Sequence, residues 1–84
     1  MRFAVYLGYF AGFLTVASFV PQVVRTWRTK QTEALSVGTF VLIITAGVAW
    51  VTYGVLEGDK PVILTNVGMV ALNGAILAAK LRYK

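Results

Sequence analysis

The sequence predicts an all-α integral membrane protein, a three-helix transmembrane bundle forming one domain over residues 1–84. Hydrophobic residues supply 58% of the chain and charged residues only 13%, and the mean hydropathy is +0.76. The charges lie in four clusters, which leave three uncharged stretches of about 20 residues, the length that crosses a hydrocarbon core. We place the spans at about residues 3–24, 36–56 and 61–80.

The outer half of the first span contains two small residues, Gly8 and Gly12, that allow a neighbouring helix to approach closely. Thr15 and Phe19 continue the same stripe at helical spacing, so the stripe should face protein or a cavity rather than lipid. We therefore regard Thr15 and Phe19 as possible lining residues.

A proline interrupts the first span near its far end. Pro21 cannot donate a hydrogen bond to the carbonyl of Ala17, so the helix is expected to bend or loosen there. Gln22 follows it, and Trp27 fits an interfacial anchor at the end of the span.

The second and third spans carry polar groups at membrane depth. A tight connection over residues 57–60 makes them a hairpin, which sets Trp50 and Asn66 at nearly one depth. An indole can stack on the C–H face of a sugar, and an amide offers both a donor and an acceptor to hydroxyl groups. We predict that Trp50 and Asn66 bind a small neutral polyhydroxylated ligand. Asn73 shares nearly the same helix face as Asn66 and is a further possible lining residue. For both asparagines, hydrogen bonding between helices is the alternative interpretation.

The basic residues indicate the orientation. Of the eight Lys and Arg residues, six fall on one side of a three-span topology and two on the other. The positive-inside rule then predicts an outside amino terminus and a cytosolic carboxyl terminus. A cleaved signal peptide is disfavoured, because the first apolar run is long and more positive charge follows it than precedes it.

The composition argues against several function classes. The chain contains no Cys or His, and no Asp, Glu, Lys or Arg lies inside a span, so we expect no metal site, no cofactor and no enzymatic activity. Ion coupling also lacks its usual intramembrane charges, which favours passive movement. The basic residues line no helix face, so we expect no nucleic-acid partner.

A combination of motifs covers nearly the whole chain. Its members are Pro21, Gln22 and Arg25; Thr29, Lys30, Gln31 and Thr32; Leu35 and Ser36; Trp50, Tyr53 and Gly54; and Pro61 with Asn66. With these residues the sequence resembles the bacterial SemiSWEET sugar transporters of the PQ-loop family.

The resemblance implies a helix triplet in the spatial order 1-3-2 and a parallel homodimer of six helices in the bacterial inner membrane. It implies facilitated diffusion of a mono- or disaccharide by alternating access, with Trp50 and Asn66 lining the pocket. Pro21 and Gln22 would form a hinge, and Tyr53 and Asp59 an outer gate. Glu57 departs from the arginine common in related sequences, so the family's Arg-to-Asp pairing is not expected here. Transport of another solute such as an amino acid, or a non-transporting membrane scaffold, is the alternative.

Overall fold

The structure, a computed structural model, describes residues 2–83 and consists of three α-helices. They are α1, Arg2–Thr29; α2, Val37–Glu57; and α3, Lys60–Arg82. Each is long and apolar enough to cross a membrane, so the predicted three-helix architecture is confirmed. Met1 and Lys84 lie outside the described residues. Lys84 is one of the basic residues counted in the predicted orientation.

The third helix lies between the other two. Within the described residues, α3 packs against both α1 and α2, while α1 and α2 do not contact each other, which confirms the spatial order 1-3-2. The antiparallel α2–α3 pair follows from the short hairpin, and α1 runs parallel to α3. We call the end where α1 and α3 finish the inner end, and the opposite end the outer end.

Helix α1 is longer than the predicted first span, which stopped at residue 24. It continues through Pro21 and through two basic residues to Thr29, because a helix needs an apolar surface only where it meets hydrocarbon and proline removes a single hydrogen bond. The helix ends where Lys30 adopts a left-handed conformation with φ of 58°. The Lys30 N–H still donates to the carbonyl of Thr26 at 2.9 Å.

Glycines allow the helices to approach closely in the outer half. Gly12 of α1 is buried against the Thr65 side chain, and a Cβ there would overlap it. On the other side of α3, a Cβ on Gly54 would lie 2.8 Å from the Ile63 Cγ1 atom and 3.2 Å from the carbonyl oxygen of Asp59. Van der Waals packing of this kind is a main source of helix association in a bilayer, since lipid tails are as apolar as the helices.

Candidate functional site

Trp50 lies on α2 and is half exposed, with 52% of its surface accessible. Its ring meets the Tyr53 ring edge-on, with centroids 5.4 Å apart and an interplanar angle of 86°. The contact holds the indole beside the helix line, through Gly47 and Gly54, that packs on α3. Trp50 therefore presents a broad apolar face outside the protomer's own core.

Asn66 lies on α3 at the same level as Trp50. Gly54 packs against Ile63 and Gly47 against Val70, so the antiparallel register sets position 50 of α2 beside positions 66 and 67 of α3. The Asn66 Nδ2 donates to the carbonyl of Val62 at 2.9 Å within its own helix. The Oδ1 atom of this half-buried residue has no hydrogen bond within residues 2–83, so it remains able to accept one from a ligand.

Asn73 occupies a different environment from Asn66. It is completely buried, and its Nδ2 donates to the carbonyl of Met69 at 2.9 Å. Its Oδ1 has no partner among the described residues. In this arrangement Asn73 offers no surface to a ligand, so its predicted lining role would require the helices around it to move.

The predicted stripe on α1 divides into two parts. Gly8 and Gly12 pack on α3, and the contact then passes to Val16, which lies against Gly68. Thr15 is exposed beside this line and donates to the carbonyl of Ala11 at 2.9 Å, whereas Phe19 is half-buried. Their lining role stays a prediction.

Pro21 and Gln22 are both exposed on α1, in a continuous helix. The side chain of Thr26 donates to the carbonyl of Gln22 at 2.7 Å, one turn beyond the proline. A shallow cleft beside them is lined by α1 residues alone, among them Val24 and Arg28. Pro21 is thus an exposed position within a continuous helix, and its hinge role stays a prediction.

The two predicted outer-gate residues have separate partners within the protomer. Asp59 caps α3, where its carboxylate accepts the Val62 N–H at 3.2 Å. Tyr53 is 49% exposed and contacts Trp50. No hydrogen bond joins Tyr53 to Asp59 within residues 2–83, and their gate role stays a prediction.

A cluster of side chains at the inner end was not predicted from the sequence. Trp27, assigned only as an interfacial anchor, donates from Nε1 to the carbonyl of Ala75 at 3.0 Å. Thr32, which is buried, donates to the carbonyl of Tyr83 at 3.2 Å. Their partners are backbone carbonyls about 50 residues away in the chain, and no local pattern reveals such an acceptor.

This geometry defines a class of protein: a three-helix membrane unit whose polar layer opens outward instead of being enclosed by one chain. The family model described as "PQ loop repeat" matches residues 3–63, so the chain belongs to the PQ-loop family.

Its relatives narrow the assignment within that family. The chain is 43% identical over 75 residues to the "Sugar transporter SemiSWEET" of Leptospira biflexa, covering 89% of this chain and 88% of the relative. It is 34% identical over 77 residues to the protein of the same name from Bradyrhizobium diazoefficiens, covering 92% and 90%. The chain is therefore a member of the SemiSWEET group.

Solved structures agree with this assignment. A crystal structure of a bacterial homologue of SWEET transporters superposes with a TM-score of 0.92 at 30% identity, covering 98% of this chain and 99% of that one. SemiSWEET in the inward-open conformation gives a TM-score of 0.88 at 32% identity, covering 98% and 88%. The two relatives from Leptospira biflexa and Bradyrhizobium diazoefficiens are named as transporters, which agrees with the expectation that this protein is not an enzyme.

Proposed function

We propose that the protein carries a small neutral sugar by facilitated diffusion, as a parallel homodimer working by alternating access. The observation that carries the proposal is the half-exposed Trp50 at the level of Asn66. A large indole and a free amide oxygen within the membrane-spanning helices suit a polyhydroxylated solute. The family membership supports the same solute class.

The homodimer is proposed because a single protomer cannot surround a sugar. Trp50 and Tyr53 lie on an exposed face of α2, and in the described part of the chain α1 does not contact α2 to cover it. A second copy related by a two-fold axis would bring another Trp50 and Asn66 to the opposite wall. Tyr53 and Asp59 would then meet their gate partners across the dimer.

Alternating access requires the outer and inner ends to open in turn. Helix α1 carries Pro21 in its inner half, where the lost bond to Ala17 lowers resistance to bending. The protein is proposed to lie in a bacterial inner membrane with its amino terminus outside and its carboxyl terminus in the cytosol, because most of its basic residues lie at the inner end. Because the chain has no cysteine, single-cysteine variants labelled with an impermeant maleimide would test this orientation without background.

The direct test is uptake of radiolabelled glucose and sucrose into proteoliposomes without an ion gradient. Wild type should show saturable uptake of one or both sugars, and Trp50→Ala and Asn66→Ala should abolish it. Val48→Ala is the matched control, because Val48 is 52% exposed on the same helix, as Trp50 is, but lies about 160° around it. It should retain uptake.

Each alternative has its own result. Absence of sugar uptake in vesicles that contain folded dimer would move the assignment to another solute. If Asn66→Ala weakens the dimer and leaves sugar binding intact, a scaffold role is favoured.

A further inference from the structure

The inner ends of α1 and α3 are joined by a tryptophan. The Trp27 Nε1 donates to the carbonyl of Ala75 at 3.0 Å. The Trp27 ring also packs edge-on against the Tyr83 ring, with centroids 5.6 Å apart and an interplanar angle of 80°. The half-buried side chain of Trp27 therefore contacts both the backbone of α3 and the ring of Tyr83, the residue that caps this helix.

The loop after α1 is tied to the same place. The hydroxyl of Thr32, 2% exposed, donates to the carbonyl of Tyr83 at 3.2 Å. The Thr32 carbonyl accepts the Lys80 ammonium at 2.9 Å and the Leu35 N–H at 3.0 Å. Lys30 and Arg82 flank the Tyr83 ring, 5.7 and 5.5 Å from its centroid. A buried hydroxyl is costly to leave unpaired, so this attachment resists separation.

These contacts lie on the inner side of Pro21, whereas the glycine contacts between α1 and α3 lie on its outer side. On the outer side of Pro21, Gly12 and Val16 pack on Thr65 and Gly68. Trp27 makes the attachment on the inner side. Helix α1 is thus held to α3 both before and after the position that lacks its hydrogen bond.

We propose that Trp27 and Thr32 are positioning residues for transport. With Ala75, Lys80 and Tyr83 they form an inner latch that makes the inner end of α1, the following loop and the end of α3 one moving body. The motion of that body relative to the outer half is taken up at Pro21, and α1 does not part from α3. This transport role rests on the proposed function, whereas the latch itself can be measured independently.

The latch is tested with Trp27→Phe, which keeps an aromatic ring but loses the donor, and with Thr32→Val, which keeps the β-branched shape but loses the hydroxyl. Each is placed in a background carrying Val23→Cys, the sole thiol of the chain, at a half-buried position between Pro21 and Trp27. The rate at which a small maleimide labels this cysteine in detergent reports how often α1 separates from α3 at that position. We expect both variants to label about tenfold faster, the effect of losing one buried hydrogen bond on a local opening equilibrium.

Two controls isolate the latch. Thr52→Val makes the same change at an exposed residue whose hydroxyl donates to the carbonyl of Val48 in its own helix, and should leave labelling unchanged. Tyr83→Phe keeps the ring and the carbonyl that the latch uses, and should also label at the original rate. Circular dichroism and size-exclusion profiles confirm that each variant is folded, and the two latch variants act on separate contacts.

Transport supplies the second readout, in the same variants without the cysteine. We expect the maximal rate of sugar exchange to fall several-fold with the half-saturating concentration unchanged, since neither residue belongs to the binding layer. Unchanged labelling in both Trp27→Phe and Thr32→Val would overturn the latch. Faster labelling with an unchanged maximal rate would overturn the positioning role. If wild type carries neither sugar, the proposed function fails, and faster labelling would still support the latch.

Discussion

The two ends of the protomer are packed by different means. In the outer and central parts, the buried positions among the described residues are glycines, Gly12, Gly47 and Gly54. Towards the inner end they are side chains: Thr32, Asn73, Ile76 and Ala79. Within residues 2–83, the hydrogen bonds that join a side chain of one element to another element also lie at the inner end, apart from the caps of α2 and α3.

The difference indicates which parts of a protomer can shift. Glycine contacts are short-range and non-directional, so helices that meet through them can slide or separate slightly without leaving a polar group unpaired. Hydrogen bonds to buried groups are directional and costly to lose. We therefore expect the outer parts of the helices to adjust their packing while the inner end keeps its contacts. Substitutions at four positions, with control variants where the chain offers them, test this comparison by the free energy of unfolding in detergent.

The largest effect is expected at the inner core. Ile76 is 2% exposed on α3, so Ile76→Ala leaves a cavity that the fixed surroundings cannot fill, and should lower the free energy of unfolding by about 3 kcal/mol. Val67→Ala, on the same helix but 50% exposed, should change it by less than about 0.5 kcal/mol. Equal losses would contradict a distinct inner core.

The next effect tests the glycine contacts. Gly54→Ala places a methyl 3.2 Å from the Asp59 carbonyl and 3.3 Å from the Ile63 nitrogen. Backbone atoms cannot rotate away, so we expect a loss of about 2 kcal/mol. Gly74→Ala is the matched control, because nothing lies within 4 Å of an added Cβ there, and it should be neutral or stabilising by up to about 1 kcal/mol. A neutral Gly54→Ala would show that the outer contacts are loose enough to absorb a methyl.

A smaller effect separates structure from gating at Asp59. Asp59→Ala removes the acceptor for the Val62 N–H and should cost about 1 kcal/mol, typical of a lost N-cap. Asp59→Asn keeps a capping oxygen and removes only the charge, so its unfolding free energy should match wild type. If uptake nevertheless falls in Asp59→Asn, the charge acts in the gate; if both variants lose stability equally, the cap is not the reason.

The smallest effect concerns Asn73. Asn73→Ala loses a local hydrogen bond to the carbonyl of Met69, which is destabilising, but also removes the buried unpaired Oδ1, which is stabilising. Because the two effects oppose each other, the free energy of unfolding should change by no more than about 1 kcal/mol. A loss as large as that of Ile76→Ala would mean that Oδ1 has a partner, such as a buried water, that strengthens the inner end.

Much of the fold could be predicted from the sequence. The uncharged lengths predict three spans, and the hairpin over residues 57–60 brings Trp50 and Asn66 to one level. The order 1-3-2 came from the family resemblance, because periodicity does not say which helix lies between the others. Helix α1 continues five residues beyond the predicted span of residues 3–24, since an apolar run marks the width of the membrane rather than the end of a helix.

The asparagines and tryptophans show where prediction from a sequence stops. Asn66 and Asn73 are seven residues apart on one helix and look alike in the sequence, yet one is half-buried and the other has no exposed surface. Trp27 looked like an interfacial anchor, but its indole N–H meets a carbonyl of another helix. Composition and spacing by themselves determined that the chain is a three-span membrane protein with a polar layer, because hydrocarbon constrains length and charge along the chain. Which polar groups face a ligand and which hold helices together was decided only by the tertiary structure, because exposure and hydrogen-bond partners depend on neighbours distant in sequence.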